Sequence, residues 1–289
     1  MKSTKIAFIS LAAAMAFAAC DSVDQEIAQE KSNIIRISAI HPSAASRASD
    51  AGFDKGDQIG LFVVDAETEL QPGGNMVNNG CFEYNGSSWA AANNYFWNEG
   101  SYNVYAYYPY AKRVDDTENY SFELPEDQST EEGFSSADFL WAKAENQKAG
   151  TTPVSLMFSH CLSNVEVLLT KAEDYGDGDI PEDAQVFIHG TYTAANIDLS
   201  NGGATADSNT NLGSIKAKKT GDKKYSAIVV PQRISSRRPL VEVVCGNVSY
   251  IMEGQLSFKP GYRHTITVTL SKSPEQVEIE IGGSIGGWN

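Results

Sequence analysis

The feature of this sequence that most constrains its fold is an alternation of apolar and polar residues with a period of two. In residues 265–270 the side chains of Ile266, Val268 and Leu270 alternate with threonines, and residues 165–169 repeat the pattern. Because successive side chains of a β-strand point to opposite faces, this alternation predicts strands with one buried and one exposed face. A helix would need apolar residues spaced three and four apart.

Further short segments are rich in β-branched and aromatic residues and are bounded by Gly, Pro, Asn or Asp, which predicts more strands. Only two short helical turns are predicted, near residues 135–138 and 194–199. Many short strands separated by turns are typical of a β-sandwich, so the sequence predicts an all-β fold. The additional strand segments are residues 59–64, 102–108, 186–189, 227–230 and 241–245.

The first residues have the organisation of an export signal. Lys2 and Lys5 precede an apolar run that ends at Ala19, and Cys20 follows. The run is shorter than the roughly 18 residues that a membrane-spanning helix needs. Ala-Ala-Cys is similar to a bacterial lipobox, in which the cysteine becomes the acylated N-terminus. We therefore predict a lipoprotein signal peptide at residues 1–19 and lipid attachment at Cys20, with a plain secretory signal as the alternative.

The net charge of the protein limits the classes of partner that it can bind. The net charge is −15, and it becomes more negative when the signal peptide and its two lysines are removed. An acidic surface repels phosphate backbones and anionic headgroups, which argues against nucleic acid and against charge-driven membrane binding. The remaining cysteines, Cys81, Cys161 and Cys245, are odd in number and widely spaced, so no CxxC metal or redox site is present. They are interpreted as buried thiols, with one disulfide and a leftover thiol as the alternative.

The length of the chain is compatible with two domains. The stretch from residue 142 to residue 153 has almost no apolar content and is the best candidate for a domain boundary. We place a polar tether at residues 20–33, an N-terminal β-sandwich domain at residues 34–149 and a C-terminal β-sandwich domain at residues 150–289.

Motifs that carry chemistry are weak in this sequence. His160 is followed by Cys161, but neighbours in a strand point to opposite faces, which argues against a nucleophile and its base. Asp207 begins a calcium-loop pattern that fails, because Leu212 stands where the sharp turn needs glycine. The acidic stretch at residues 173–183 is interpreted as a solvated hairpin end. None of the histidines stands at HxxxH spacing; they are His41, His160, His189 and His264. We predict no catalytic residue, metal or cofactor.

A group of aromatic residues allows two interpretations. One interpretation is the packing of a half-buried sheet, and the other is stacking of the rings on sugars, as in a glycan-binding lipoprotein. The alternation at Tyr105 and Tyr107 favours the sheet. The other members are Tyr102, Tyr108, Tyr110, Trp89, Trp97 and Trp141.

Several segments, in order and across nearly all of the chain after the signal peptide, resemble the fimbrillin family of Bacteroidetes fimbriae. The lipobox agrees with this resemblance, because these pilins are exported as lipoproteins. The segments are GDQIGLFV at 56–63, YNVYAYYPY at 102–110, ADFLWA at 137–142, PVSLMFSHCLSNVEVLL at 153–169, VFIHGTYTAANIDL at 186–199, YSAIVVPQRI at 225–234, FKPGYRHTITVTL at 258–270 and the terminal SIGGWN.

The resemblance implies two tandem transthyretin-like β-sandwich domains and assembly into a surface fimbria by strand donation between subunits. It further implies trimming by an arginine-specific protease, for which Arg47 in Ser-Arg-Ala is the matching site. Arg36 is a second basic candidate, but it lies in an apolar stretch. The implied partners are other fimbrial subunits, the outer membrane through the lipid on Cys20, and a host or bacterial surface receptor. The implied role is adhesion or biofilm formation.

The trimming step has a physical interpretation in these residues. Ile35, Ile37 and Ala39 alternate with polar residues, so residues 34–40 are predicted to form an early strand with one buried face. A cut after Arg47 would release that strand and expose a row of unpaired backbone groups. A strand from another subunit could then take its place.

The C-terminal segment is the candidate donor of that strand. Val277, Ile279 and Ile281 alternate with glutamates and precede a glycine-containing tail. The segment is equally compatible with an ordinary edge strand of the second sandwich. The competing functions are an adhesive tip or glycan-binding lipoprotein, which would use the aromatic group, and a glycan hydrolase, which would need two facing carboxylates.

Overall fold

The structure is a computed structural model and describes residues 33–42, 52–281 and 286–288. Besides strands it contains a short helix, α1, at Glu131–Ser136, and 3₁₀ turns at Glu173–Tyr175 and Pro274–Gln276. The strands are β1 Ile37–Ile40, β2 Gln58–Asp65, β3 Val77–Tyr84, β4 Trp89–Ala91, β5 Tyr102–Tyr108, β6 Tyr120–Glu123, β7 Leu140–Gln147, β8 Val154–Met157, β9 Ser159–His160, β10 Ser163–Lys171, β11 Gln185–Tyr192, β12 Ala194–Asp198, β13 Gly203–Ala206, β14 Leu212–Lys216, β15 Lys218–Gly221, β16 Lys224–Val229, β17 Gln232–Cys245, β18 Val248–Phe258, β19 Tyr262–Leu270, β20 Glu278–Ile281 and β21 Gly286–Gly287.

Six of the strands between residues 58 and 160 form one sheet, in the order β4-β3-β2-β5-β7-β9. Its central strands are apolar on both faces. On β2, Ile59 and Leu61 belong to one buried cluster, whereas Phe62 and Val64 belong to another. The parallel pair β1-β8 contributes to the first cluster, and the antiparallel sheet β13-β12-β6 contributes to the second. A sheet covered on both faces has continuous apolar runs in its central strands, as β2 does.

The C-terminal part of the chain forms a β-sandwich. One sheet has the order β15-β16-β10-β19-β20, with β10 and β19 parallel, and the other has the order β14-β11-β17-β18. Between them lies a buried cluster in which alternate residues of facing strands meet, such as Val167 and Val268 from the first sheet and Ile188 and Val243 from the second. The period of two in the sequence therefore reflects a sheet that buries one face in this cluster.

The N-terminal and C-terminal parts of the molecule are connected by strand pairing, by side-chain hydrogen bonds and by a common buried cluster. Strand β12 pairs with β6, which lies over 70 residues earlier in the chain. The side chain of Gln128 is fully buried and bonds both backbone groups of Ile228: its Nε2 donates to the carbonyl at 2.8 Å and its Oε1 accepts from the N–H at 2.7 Å. Ile228 and Phe62 lie in the same buried cluster. This cluster joins the two parts through apolar packing as well as hydrogen bonds.

The all-β fold predicted from the sequence is confirmed, as are the strands predicted from alternation and from β-branched composition. The helical turn predicted near residues 135–138 lies slightly earlier, in α1, whose start is capped by Thr130 accepting from the N–H of Gly133 at 3.1 Å. The prediction of a helical turn at residues 194–199 is wrong, because these residues form β12. Both Ala194 and Ala195 are buried, so the alternation that marks a half-exposed strand is missing.

The polar stretch proposed as a domain boundary is partly a strand, since residues 142–147 belong to β7. Strand β8, which follows that stretch, pairs with β1, and Val154 and Leu156 lie in the cluster formed by the first sheet. The division into domains at residues 34–149 and 150–289 stays a prediction. The three described cysteines are free: Cys161 and Cys245 are buried and Cys81 is half-buried.

Candidate functional site

The N-terminal segment of the described chain is held by backbone hydrogen bonds on both sides. On one side β1 pairs in parallel with β8, in the register Ile37 to Val154. The N–H of Val154 donates to the carbonyl of Arg36 at 2.8 Å. On the other side the N–H of Ile35 donates to the carbonyl of Tyr95 at 2.8 Å. Among the described residues, β8 is the only strand with which β1 forms a ladder.

The side chains of this segment complete an apolar core. Ile35 is 2% exposed and Ile37 is 7% exposed, and both lie in the cluster that contains Leu61 and Val104. Ala39 packs against the same cluster. Full burial of an isoleucine side chain stabilises a fold by about 1.5–3 kcal/mol. Removal of the segment would therefore leave an apolar groove beside β8.

The C-terminal strand is attached differently. β20 pairs antiparallel with β19 over four residue pairs, from Thr269 with Glu278 to Ile266 with Ile281, and forms an edge of its sheet. Val277 and Ile279 are only partly buried where they pack against the core. The attachment of β20 thus depends mainly on one backbone ladder.

The last described residues dock on the same part of the molecule as the N-terminal segment. The N–H of Trp288 donates to the carbonyl of Gly261 at 2.9 Å, and the Trp288 side chain is 7% exposed. Its ring stacks on the His160 ring with centroids 3.7 Å apart and an interplanar angle of 5°. His41, which follows β1, makes an edge contact with the same His160 ring at 6.0 Å. His41 and Trp288, which lie near the two ends of the described chain, therefore meet at one histidine.

A cavity of about 270 Å³ lies at this meeting point. His160 is fixed there by Asp138, whose Oδ1 lies 2.9 Å from the histidine Nδ1. Burial lowers the pKa of His41, although the carboxylate of Asp138 opposes this shift. The other residues that line the cavity are Gly52, Phe53, Asp54, Asp57, Tyr108, Glu131, Phe134, Ser135 and Trp288.

The site residues predicted from the sequence have different outcomes. Cys20 and Arg47 lie outside the described residues, so both stay predictions. Val277 immediately precedes β20 and Ile279 lies within it. Ile281 is the last residue of that strand and pairs with Ile266. The role of these three residues as a donor strand also stays a prediction. Sequence reasoning missed the contact between His160 and Trp288, because no local pattern relates residues so far apart in the chain.

The other chemical motifs occupy ordinary structural roles. Asp207 Oδ1 accepts from the N–H of Asn209 at 2.9 Å, a local turn bond. In the acidic loop, Asp179 pairs with Lys223 at 2.8 Å. Burial raises the pKa of the Cys161 thiol, which disfavours a reactive thiolate. No group of three metal-binding side chains occurs within the part of the chain that the structure describes.

The aromatic group serves mainly in sheet packing, as the alternation at Tyr105 and Tyr107 predicted. Both are buried, together with Tyr102 and Trp97. The Tyr107 ring stacks on Phe139 with centroids 5.9 Å apart. Rings enclosed in this way are not available to stack on a sugar, which weakens the glycan-binding interpretation.

Comparison with known proteins identifies the family. The sequence model described as fimbrillin-like matches residues 46–288. The chain belongs to the fimbrillin-like family. No curated protein matches the sequence significantly.

Solved structures agree with a fimbrillin-like fold. A candidate cell-adhesion protein from Bacteroides ovatus has 20% identity and a TM-score of 0.71, covering 89% of this chain and 98% of that chain. A candidate cell-adhesion protein from Bacteroides uniformis has 20% identity and a TM-score of 0.66, with 89% and 99% covered. A fimbrial protein from Bacteroides ovatus has 20% identity and a TM-score of 0.52, with 83% and 49% covered. At these identities the likeness concerns the fold.

Membership of the fimbrillin-like family places the protein among structural components of fimbriae, which associate with other fimbrial subunits in an appendage of the cell surface. Across the described ranges, no helix has the length and hydrophobicity needed to cross a membrane.

Proposed function

We propose that this fimbrillin-like protein is a subunit of a cell-surface fimbria that is exported as an outer-membrane lipoprotein and polymerises by strand donation after trimming at Arg47. The observation that carries the proposal is the attachment of the N-terminal segment: β1 has one ladder partner, and Ile37 in β1 and Ile35 just before it are buried. Such a strand contributes to the core yet precedes the proposed cut. Once cut, it would be held only by non-covalent contacts and could be exchanged for another strand.

The proposed donor has the side-chain pattern that the vacated groove requires. Ile35, Ile37 and Ala39 place three apolar side chains at alternate positions. Val277, Ile279 and Ile281 present the same spacing with a larger residue at the third position. An isoleucine in place of Ala39 adds three carbons and a valine in place of Ile35 removes one, so the net gain is two carbons, each worth about 0.8 kcal/mol when buried. The donor would therefore fill the groove better than the strand that it replaces.

The cost of freeing the donor is small. β20 is an edge strand, so its departure breaks a single ladder of four residue pairs. Each backbone hydrogen bond contributes only about 0.5–1.5 kcal/mol net, because water replaces the lost partner. Transfer of the donor segment from its half-exposed position at the sheet edge to a buried position in the groove is then favourable overall.

The decisive experiment is cleavage of the purified, non-lipidated chain with a limiting amount of an arginine-specific protease. We expect detergent-resistant ladders on gels and filaments in electron micrographs. The Arg47→Gln variant should stay monomeric under the same treatment, and so should an Ile279→Lys variant that is cut normally. Monomers alone after verified cleavage at Arg47 would contradict polymerisation by this route.

A peptide assay separates groove formation from filament growth. A labelled peptide spanning residues 275–283 should bind the cleaved Ile279→Lys protein, whose own donor is impaired, but not the uncleaved protein. A peptide carrying the same Ile279→Lys change is the matched control. Equal binding of both peptides would show that the groove does not select alternate apolar side chains.

The lipid anchor at Cys20 has an independent test. Cells that express the full chain should incorporate labelled palmitate into it, and the Cys20→Ser variant should not. Release of the Cys20→Ser protein from the membrane fraction, with unchanged folding, is the expected consequence of losing the acyl chains. Equal labelling of both proteins would show that Cys20 is not the attachment site.

A further inference from the structure

The cavity beside His41, His160 and Trp288 has the chemistry of a binding site that the proposed assembly mechanism does not use. Four carboxylates line it, from Asp54, Asp57, Glu131 and Asp138. None of the described lining residues is a lysine or arginine. Glu131 is neutralised from outside the lining by Lys218. Asp54 and Asp57 make no ion pair with any described residue, so negative charge in the cavity is left unbalanced.

A buried nitrogen provides a second, independent observation. The His160 side chain is 3% exposed and its Nδ1 bonds Asp138. Its Nε2 is buried and has no hydrogen-bond partner among the described residues. When Nδ1 carries the proton that is shared with the carboxylate, Nε2 is a bare acceptor. A buried acceptor without a donor costs free energy, which a ligand N–H would recover.

The walls of the cavity favour a flat cation. Phe53, Tyr108, Phe134 and Trp288 contribute aromatic rings, and Phe53 makes edge contacts with His41 and Tyr108 at 5.0 and 5.7 Å. A guanidinium is planar, stacks on aromatic rings and is more weakly hydrated than an ammonium ion. It also presents several N–H donors to carboxylates and to a histidine nitrogen.

We propose that this cavity binds a guanidinium group, held by Asp138, Asp57 and the Nε2 of His160 and stacked against the aromatic walls. Burial raises the pKa of Asp57, as expected for a carboxylate that lacks a cationic partner. The lowered pKa of His41 keeps that ring neutral near pH 7, so it does not supply the missing positive charge. The proposal does not depend on strand donation.

The test is a calorimetric titration of the uncleaved protein with N-acetyl-arginine amide. The citrulline analogue has the same shape without the charge, and the lysine analogue carries a charge without the plane. We expect the arginine compound to bind at least tenfold more tightly than either. Asp138→Asn and Asp57→Asn should each weaken binding about tenfold. Glu253→Gln removes an exposed carboxylate outside the cavity and should leave binding unchanged.

An Arg47→Gln arm distinguishes a free guanidinium from one supplied by the chain itself. Equal binding by the wild-type protein and this variant assigns the site to an external arginine compound. Tighter binding by the variant assigns it to competition with Arg47, and both results support a guanidinium site. Absence of binding in both proteins, or equal affinity for the citrulline analogue, would overturn the proposal. Thermal melting of each variant verifies that it is folded.

Discussion

Strands β1 and β20, which lie near the two ends of the described chain, look alike in sequence but are attached in opposite ways. Each has four residues and a ladder with a single neighbour. Ile37 on β1 is almost completely buried, whereas Ile279 on β20 is half-buried. Side-chain burial therefore fixes the N-terminal strand, and a backbone ladder fixes the C-terminal one. The difference indicates which strand leaves a groove when it is removed and which can detach at low cost.

The largest expected effect is a difference between isoleucine truncations at the two ends. Ile37→Ala should lower the free energy of unfolding by about 2–4 kcal/mol, because it leaves a cavity in the core. Ile279→Ala should lower it by about 1 kcal/mol, since a half-buried side chain has less contact to lose. Urea denaturation followed by circular dichroism measures both values. Equal losses would show that the strands are attached in the same way.

A substitution at Gln128, which lies between β1 and β20 in the sequence, tests whether each of these strands is released by global unfolding or by local opening. Gln128→Leu removes both partners of the Ile228 backbone and should lower the free energy of unfolding by about 2–3 kcal/mol. Hydrogen exchange should then accelerate in β1, which is released only by global unfolding, but not in β20, which detaches locally. Gln255→Leu, at an exposed position of β18, is the control for the lost amide. Unchanged exchange in β1 would contradict the comparison.

A smaller effect is expected at the docked C-terminus. Trp288→Ala removes the stack on His160 and should lower stability by about 1–2 kcal/mol. The amide of Arg263, which lies opposite Gly286 of β21, should exchange faster. Trp288→Phe keeps a ring on His160 and should restore most of the protection. Equal behaviour of the two variants would mean that the ring contact does not hold the tail.

Much of the fold follows from local pattern, and the departures have physical causes. Strand β19 was predictable because one of its faces is buried and alternation survives. Strand β12 was predicted as a helical turn, because residues packed on both faces lose that alternation. The polar end of β7 resembled a linker, although backbone pairing with β5 keeps it in the sheet.

The candidate sites were less predictable than the strands. The early strand at residues 34–40 was found from its own alternation, and the structure places residues 37–40 in β1. The cavity was not found, because His41, Asp138, His160 and Trp288 come from distant segments that only the tertiary fold brings together. Among these residues, Trp288 is the only one whose type alone could have drawn attention to the cavity, but the sequence does not reveal that its side chain is buried.

The smallest expected effect compares the pH response of a histidine near each end. Burial lowers the pKa of both His41, next to β1, and His264, on β19 beside β20. A base whose pKa is lowered on folding contributes stability that is present above its unfolded pKa, near 6.5, and is lost as the pH falls through the folded value. Stability should therefore decrease below about pH 6.5.

His264 should account for more of this decrease than His41. Its Nε2 accepts from the N–H of Lys259 at 3.0 Å, a bond that protonation of Nε2 would break. At His41, the carboxylates of Asp138 and Asp54 oppose the effect of burial. Urea denaturation between pH 7 and pH 5 should give a flatter profile for His264→Gln than for His41→Gln, with the wild-type profile steepest. The reverse order would show that the buried histidine near the N-terminal strand, and not the one beside β20, makes the fold sensitive to acid.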